Sequence, residues 1–429
     1  MVHKLILIFC LLGDLSLFAQ QPIDSIYSNF VLNERRNSFH QNLNNKIITQ
    51  NLKAPLDSIT ESNYRESCWA ISQFLLRSHT IETGFKKMFQ QYQSLDFTTK
   101  RAFLEAIYAS YPTEYKNEIS ELLLQESSPK LFAMQSLYLY RIDPKINNIQ
   151  FLTHQIQTQF SAFKNDQMLI TLQEYILNHS KNVLQKTPSI NVLFAHQKKL
   201  NQKIIYSFQR WNRNYPGIAA IQNVDGHFLR DQKGQILLVE QLARAGSNLP
   251  YFITNGNSPQ GIYRITGTAI SQNLFIGPTQ NLQLLMPFEA DAAYWDSKYD
   301  SSKDAQTNYL NLLPKEWQGW APIKEAFQAG QIGRTEIIAH GTTIDPNYFK
   351  GLPFYPLTPT LGCLCAKEIW NSSTGKLLES DQFSLASGFL STPGNTGYLM
   401  VINIDNQTMA VSKKEIVAIL EAFEKKIDQ

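Results

Sequence analysis

One histidine and one cysteine in the last third of the chain have the types and spacing that nucleophilic catalysis requires. His340 ends an apolar, strand-like segment and is followed by Gly341. Cys363 comes directly after Gly362, and 22 residues separate it from His340. A thiol nucleophile needs a base that takes its proton and hydrogen-bond donors that hold the oxyanion. The pattern therefore predicts His340 as general base, Cys363 as nucleophile, and a tight turn at Gly362 that directs backbone N–H groups toward the oxyanion.

Other chemistries for these residues stay open at this point. Cys363 and Cys365 could form a disulfide, although residues two apart in a strand lie near or beyond the ~6.8 Å limit for bridged Cα atoms. Cys68 could pair with either of them. His340, Cys363 and Cys365 also offer a nitrogen and two sulfurs, which suit zinc, but the sequence has no obvious fourth ligand. The interpretation that we favour makes Cys363 a free thiol and Cys68 a small hydrophobic residue buried on a helix.

Composition limits the class of protein. The 429 residues are 43% hydrophobic and 17% charged, which is typical of a globular chain of two or three domains. Lys and Arg number 39 against 36 Asp and Glu, so the formal net charge is only +3. Since no run of basic residues stands out, nucleic acid is not the expected partner.

The first residues are typical of an export signal. His3 and Lys4 precede an apolar run, Leu5 to Leu12, and Ala19 offers a small residue for cleavage. The run is too short for a bilayer, which needs ~20 residues. We expect a signal peptide over residues 1–19 whose removal takes Cys10 with it. No second long apolar stretch follows, so the exported chain is predicted to have no integral membrane segment. The residues around the cleavage site resemble leaders of Gram-negative bacteria, which places the protein in the periplasm.

Residues 20–200 are predicted to form an α-helical domain. Pro112, Pro129 and Pro144 punctuate it at short intervals, and each is expected to mark a turn between helices. Short helices joined in this way make either HEAT-like repeats or an irregular bundle. Such a domain could scaffold the rest of the chain or bind a protein partner. The helical faces are Leu104, Ile107, Tyr108 and Tyr111; Ile119, Leu122 and Leu123; Leu152, Ile156 and Phe160; and Leu169, Leu172, Tyr175 and Ile176.

Residues 201–429 are predicted to form a mostly-β domain with helices at its margin, so the whole chain is expected to be multidomain α plus β. The Asp225-Gly226 pair is typical of a hairpin turn. Trp317, Trp320 and Trp370 are interpreted as packing residues. The predicted strands are 217–222, 235–239 and 397–404, and the predicted helices are 322–329 and 412–423, the second opened by a capping box of Ser412 and Glu415.

A third element joins the histidine and the cysteine. The segment Ser258-Pro259-Gln260-Gly261-Ile262-Tyr263-Arg264-Ile265, the pair His340-Gly341 and the segment Thr360-Leu361-Gly362-Cys363 follow one another in this order. Together they resemble the catalytic domain of L,D-transpeptidases, the YkuD-type enzymes that remodel bacterial peptidoglycan. The resemblance covers roughly residues 205–404, about half of the chain.

The resemblance implies a cysteine transferase acting on peptidoglycan stem peptides. Cys363 would attack the amide after the third residue of a tetrapeptide stem and release the terminal D-alanine. An amine of a second stem would then resolve the thioester into a 3→3 cross-link, with no metal or organic cofactor. Water as acceptor would make the enzyme an L,D-carboxypeptidase. An amidase of the same fold and a non-catalytic wall-binding protein are the further alternatives.

Two positions differ from the family pattern. Leu361 stands where the family usually has histidine, and Cys365 stands where it usually has arginine. Arg334 and Arg264 are the candidates to supply the missing positive charge, with Lys367 as a weaker one. Substrate contacts are expected from both arginines, from Gly341 and Thr360, and from Tyr355. Tyr355 belongs to an aromatic segment, residues 348–356, which is either a packed loop or a lid over the substrate groove.

Overall fold

The computed structural model describes residues 22–427. The predicted leader, residues 1–19, and Cys10 lie outside the described residues. The described chain is mixed helix and sheet, with a helical part and a closed barrel. None of the helices between residues 22 and 427 combines the length and the hydrophobicity that a bilayer crossing requires.

Helices occupy the chain up to residue 200. They are α1 (Asn33–Asn42), α2 (Asn51–Lys53), α3 (Glu61–Phe74), α4 (His79–Gln90), α5 (Phe97–Ser110), α6 (Lys116–Leu123), α7 (Pro129–Ile142), α8 (Ile146–Gln159), α9 (Gln167–Leu184) and α10 (Ile190–Leu200). A π-helical stretch, Leu43–Gln50, joins α1 to α2. The predicted turns are confirmed, because Pro129 is the first residue of α7 while Pro112 and Pro144 lie just outside helix ends.

Alternate helices of this part form a row. α3 packs on α5, α5 on α7, and α7 on α9. Because α7 has neighbours on both sides, every one of its residues from 131 to 140 is buried. The predicted helical faces lie on α5, α6, α8 and α9 and contribute to one hydrophobic core. Cys68 is fully buried on α3, which confirms its interpretation as a small core residue.

Between residues 201 and 427 the described chain forms ten strands. They are β1 (Lys203–Arg210), β2 (Gly217–Gln222), β3 (Leu238–Leu242), β4 (Gly261–Ala269), β5 (Asn281–Leu285), β6 (Ile338–His340), β7 (Leu364–Ala366), β8 (Glu368–Trp370), β9 (Leu377–Ser380) and β10 (Gly397–Asp405). Eight of the described strands close into a barrel in the order β1-β10-β4-β5-β6-β7-β3-β2, and β8 and β9 form a separate pair. The neighbours β1 and β10, and β6 and β7, are parallel, whereas the other barrel pairs are antiparallel.

The second part contains more helix than the sequence predicted. Its helices are α11 (Asp291–Trp295), α12 (Ala305–Asn311), α13 (Lys315–Gln318), α14 (Glu325–Gln331), α15 (Asp381–Leu390) and α16 (Lys413–Ile427). The predicted capping box opens α16, since the Glu415 N–H donates to Ser412 Oγ at 3.1 Å and the Ser412 N–H to the Glu415 carboxylate at 3.4 Å. Two of the predicted strands match β2 and β10. The third is displaced to Leu238–Leu242, because Ile236 and Leu237 pair back across the turn at Gly234.

The barrel part has two hydrophobic cores, one inside the barrel and one on its outer face. One takes residues from all eight strands, among them Ala339 of β6 and Leu364 of β7, and therefore fills the barrel interior. The other lies between the outer faces of β1, β2, β4 and β10 and helices α10 to α14 and α16. Trp317 and Trp320 belong to it, and Trp370 is buried beside β9, so all three are packing residues as predicted.

One loop of the barrel part is embedded in the helical part. We call residues 249–257 the anchor loop. Its Leu249, Phe252 and Ile253 are almost fully buried in the core of the helical part. The amide of its Asn255 donates to the buried carboxylate of Glu105 on α5 at 3.2 Å. The two parts are therefore packed through a shared core.

Candidate active site

Two adjacent parallel strands bring the predicted base and nucleophile to one face of the barrel. In the register of β6 and β7, Ala339 is opposite Leu364 and His340 is opposite Cys365. Since Ala339 and Leu364 point into the barrel, the alternation of a strand turns His340 and Cys365 outward. Cys363 is the residue immediately before β7.

His340 and Cys363 line the same cavity, whose volume is about 280 Å³. The helical part supplies one wall through Gln73 of α3, and the anchor loop supplies Asn255. Thr360 and Leu361 form the edge beside the cysteine. The cavity is completed by Asn273, Phe275, Ile276, Thr335, Glu336, Thr342, Ile344, Thr358 and Pro359.

A backbone carbonyl fixes the tautomer of the histidine. His340 Nδ1 lies 2.5 Å from the carbonyl oxygen of Gly341. Because that oxygen can only accept, Nδ1 carries the proton and Nε2 keeps a lone pair. Burial lowers the pKa of His340 to about 4, so the imidazole is neutral at physiological pH. The ring is thus prepared to accept a proton, as a general base must be.

The residues before Cys363 form a turn held by side-chain hydroxyls. Gly362 has φ of +114°, which glycine adopts readily. Thr360 Oγ1 accepts the Gly362 N–H at 3.0 Å and donates to the Cys363 carbonyl at 2.8 Å. Ser258 Oγ donates to the Gly362 carbonyl at 2.8 Å, so the segment 258–265 contacts this turn directly. We call residues 360–363 the nucleophile turn, after the predicted role of Cys363. The Gly362 N–H would have to break its hydrogen bond to Thr360 Oγ1 before it could donate to an oxyanion.

The Cys363 thiol is in its protonated form at rest. Its Sγ lies 3.6 Å from the Glu336 carbonyl and 3.5 Å from the Ile338 N–H. Burial raises the pKa of this thiol, and the Ile338 N–H and the charge of Arg334 oppose that effect only in part. A neutral imidazole and a neutral thiol therefore line the same cavity, and no hydrogen bond joins them among the described residues.

Arg334 supports the nucleophile turn from behind. Its guanidinium donates to three carbonyls of the anchor loop: Gly256 at 2.5 Å, Asn257 at 2.7 Å, and Tyr251. Burial lowers its pKa to about 10, which leaves the group charged at neutral pH. A side chain at Gly362 would collide with this guanidinium, so the charge lies directly beside the turn. Three of its N–H groups thus bond to the anchor loop, and Arg334 does not itself line the Cys363 cavity.

The other cations of the prediction lie elsewhere. Arg264 projects from the outer side of β4, where it pairs with Asp296 at 3.3 Å and lies over the ring of Tyr398. Lys367 pairs with Glu379 at 3.4 Å. Neither side chain lines the Cys363 cavity. Of the three candidates, the structure therefore brings only Arg334 to the cysteine.

The aromatic segment at residues 348–356 is mainly a packed loop. Phe349 and Phe354 are almost fully buried against Phe74 and Leu242 in a core between the two parts. Tyr355 is 42% exposed and does not line the Cys363 cavity. Tyr355 is therefore not placed to make the predicted contact with a substrate in this cavity.

The remaining cysteines take no part in a bridge or a metal site. Within residues 22–427 all three cysteines are free, and no group of metal-ligating side chains is present. Cys365 is buried, with its sulfur 3.7 Å from Thr358 Oγ1, and burial raises the pKa of its thiol to about 12. Cys365 is thus an unreactive core thiol.

Glu368, which sequence reasoning did not select, lies directly behind Gly341. Its buried carboxylate accepts the Thr342 N–H at 2.8 Å and the Ser380 hydroxyl at 2.7 Å. A side chain at Gly341 would collide with it. Glu368 therefore fixes the backbone that follows His340, and it explains why glycine is needed at position 341.

The pH dependence of alkylation should reveal the resting state of Cys363. Its reaction with iodoacetamide is expected to be slow at pH 7 and to accelerate through pH 9 and beyond, because only the thiolate attacks and burial raises the pKa above its usual 9.0. Intact mass measured between pH 6 and 10 gives the rate, with a Cys363→Ala variant as the blank. A rate already at its plateau at pH 7 would contradict the neutral pair.

The stability of the fold should fall as Glu368 ionises. Burial raises the pKa of Glu368 to about 7, whereas an unfolded glutamate has a pKa of about 4.5. The folded state therefore holds this proton more tightly, and the stabilisation present below pH 4.5 is lost as pH rises through 7. Between pH 5 and 8 the free energy of unfolding is expected to fall less in a Glu368→Gln variant than in the parent, by roughly 2–3 kcal/mol. Urea unfolding at each pH measures this difference.

The matched control for that measurement is Glu379→Gln on the neighbouring strand. Glu379 is 56% exposed in its pair with Lys367, so the variant should reproduce the pH profile of the parent. An unchanged profile in Glu368→Gln would show that the buried carboxyl does not hold the extra proton.

No known family model matches the chain, and neither the curated proteins nor the solved structures include a significant match.

Proposed function

We propose that the protein is a cysteine acyltransferase of the L,D-transpeptidase type, which acts on peptidoglycan stem peptides in the periplasm. The observation that carries the proposal is that His340, at the end of β6, and Cys363, just before the adjacent strand β7, line one cavity. The hydrogen bond from Ser258 to Gly362 supports it further, since it links the third motif element to the nucleophile turn.

The chemistry follows from the resting protonation states. His340 Nε2 takes the thiol proton as Cys363 Sγ attacks the carbonyl carbon between the third and fourth residues of the stem. The tetrahedral oxyanion collapses, the C–N bond breaks, and the imidazolium returns its proton to the departing D-alanine amine. A thioester remains on Cys363. The amine of a second stem attacks the thioester carbonyl and loses a proton to His340. The C–S bond then breaks, and the sulfur takes that proton back from His340 to regenerate the thiol.

Arg334 has a supporting role in this scheme. Its charge lies behind the Gly362 turn and lowers the cost of forming a thiolate at Cys363. Because it is fixed by three carbonyls, it stays in place throughout the cycle. Arg334 thereby compensates for the family arginine that Cys365 replaces, without contacting the substrate.

A mass-spectrometric assay tests the proposal. The exported form of the chain is incubated with disaccharide tetrapeptide, and the products are resolved by mass. A cross-linked dimer that has lost one D-alanine is expected for a transpeptidase, while a disaccharide tripeptide identifies the hydrolytic alternative. A carbapenem should add its mass to Cys363 in either case. Unchanged tetrapeptide and an unlabelled Cys363 would contradict the proposal and favour a non-catalytic wall-binding protein.

A further inference from the structure

The walls of the Cys363 cavity carry a single charged side chain. Of the residues that line the cavity, Glu336 alone is charged at neutral pH, since His340 and Cys363 are both neutral there. No lysine or arginine of residues 22–427 belongs to the lining. The cavity therefore presents a net negative charge, for which the proposed reaction has no use so far.

Glu336 lies beside the reactive sulfur. Its carbonyl oxygen is the one that lies 3.6 Å from Cys363 Sγ. Its side chain is exposed, and the carboxylate forms no hydrogen bond or ion pair within residues 22–427. The carboxylate is thus available to a charged group that enters the cavity.

The backbone at Glu336 is held in an uncommon conformation. Its φ is +64°, in the left-handed region that glutamate seldom adopts. The Glu289 carboxylate fixes this conformation, because it accepts the Glu336 N–H at 2.8 Å and the Met286 N–H at 3.1 Å. Strained backbone of this kind is concentrated at functional sites. Glu336 is therefore kept in one place beside the thiol.

The positive charge of Arg334 does not face the cavity. Arg334 lies behind the nucleophile turn with its N–H groups bonded to the anchor loop, and it does not line the cavity. Its effect on the pKa of Cys363 is larger than that of Glu336 and has the opposite sign. A group inside the cavity, in contrast, meets the exposed carboxylate directly. An ammonium group would be attracted there, whereas a carboxylate would find no cationic side chain on the walls.

We propose that Glu336 selects acyl donors that carry a positively charged amine close to the amide that Cys363 attacks. The substrate class is a peptide whose acyl residue is a diamino acid with its second amine free. Acylation of that amine removes the charge, so a stem that is already cross-linked through it would be a poor donor. The identity of the substrate rests on the proposed function, but the preference of the cavity for cations does not.

Charged thiol reagents measure this preference without any turnover. The exported form of the chain is treated with 2-(trimethylammonio)ethyl methanethiosulfonate, a cation, or with the anionic 2-sulfonatoethyl reagent, and intact mass gives both rates at Cys363. Glu336→Gln is expected to lower the ratio of the cationic to the anionic rate by about fivefold or more, because both reagents lose their interaction with the carboxylate. Differences in reagent reactivity and in the pKa of the thiol cancel when the ratios of two variants are compared. Cys363→Ala is the blank.

Two further variants and the salt concentration serve as controls. Glu336→Asp keeps the charge, and aspartate tolerates positive φ, so most of the ratio should be retained. Glu121→Gln removes an exposed carboxylate of α6 outside the cavity and should leave the ratio unchanged. In the parent the ratio should fall as salt is added, which tests the charge without any substitution. Equal ratios in the parent and Glu336→Gln would overturn the proposal, as would failure of both reagents to modify Cys363.

Two tetrapeptides that differ only in the second amine extend the test to turnover. Release of the terminal alanine, with one acceptor amine in excess, should be faster for a third-position lysine than for Nε-acetyl-lysine. Glu336→Gln should reduce this difference, mainly through KM. Equal release from the two peptides would overturn the substrate class. Release from neither would contradict the proposed function, and the reagent ratio would still decide the charge preference.

Discussion

Replacing Cys363 with alanine is expected to lower the turnover of a disaccharide tetrapeptide by roughly 10³-fold or more, because the thioester can form on no other group of the cavity. Carbapenem labelling should disappear together with turnover. Intact mass and product analysis measure the two effects on the same sample. Turnover that persists in this variant would exclude the thioester mechanism.

The informative control for that variant is Cys365→Ala. Cys365 is two residues along the chain, but it is buried and has a thiol with a pKa raised to about 12. We expect activity within a few-fold of the parent. The disulfide and zinc alternatives make the opposite prediction, since they require both sulfurs and would give parallel losses.

Replacing Gly362 with alanine is expected to lower both the stability of the fold and the turnover, with an effect on turnover smaller than that of losing Cys363. In Gly362→Ala the new Cβ would meet the Arg334 guanidinium and the Gly256 carbonyl at distances that atoms do not adopt, in a backbone with φ of +114°. The loss of stability should be about 2–4 kcal/mol, and displacement of the turn should lower turnover by about 10²-fold. Urea unfolding and the tetrapeptide assay measure the two quantities.

Gly351→Ala separates backbone strain from collision. Gly351 also has positive φ, at +89°, but a Cβ there meets no heavy atom within 4 Å. This variant should cost only about 1 kcal/mol and leave turnover unchanged. Equal effects at the two glycines would mean that the contact with Arg334 does not position the nucleophile turn.

The sequence predicted the parts of the fold that depend on local patterns. Periodic apolar residues and the three prolines located α5 to α9, and the capping box located the start of α16. Short helices such as α13, with four residues, carry no period that could be recognised. The closure of the barrel could not be predicted from the sequence either, because it depends on the pairing of β1 with β10, almost 200 residues away.

Within the site, residue types were predictable and their partners were not. Histidine, glycine and cysteine in order predicted a base, a turn and a nucleophile; the structure shows the turn at Gly362 and a cavity shared by His340 and Cys363. The choice between Arg334 and Arg264 depended on which side of a strand and which loop each one meets, and sequence spacing does not contain that information. The Gly341 carbonyl on His340 and the engaged N–H of Gly362 are likewise products of tertiary packing.

The anchor loop has a consequence for how the chain can be divided. A fragment that begins at residue 201 would retain every motif residue of the candidate site, and by sequence it would look like a complete catalytic unit. Its Leu249, Phe252 and Ile253, however, would lose the helices that cover them and would face water. The carbonyls that hold Arg334 belong to that same loop. The helical part therefore supports the candidate site, and a fragment without it would keep every motif residue but lose the packing that holds the Gly362 turn in place.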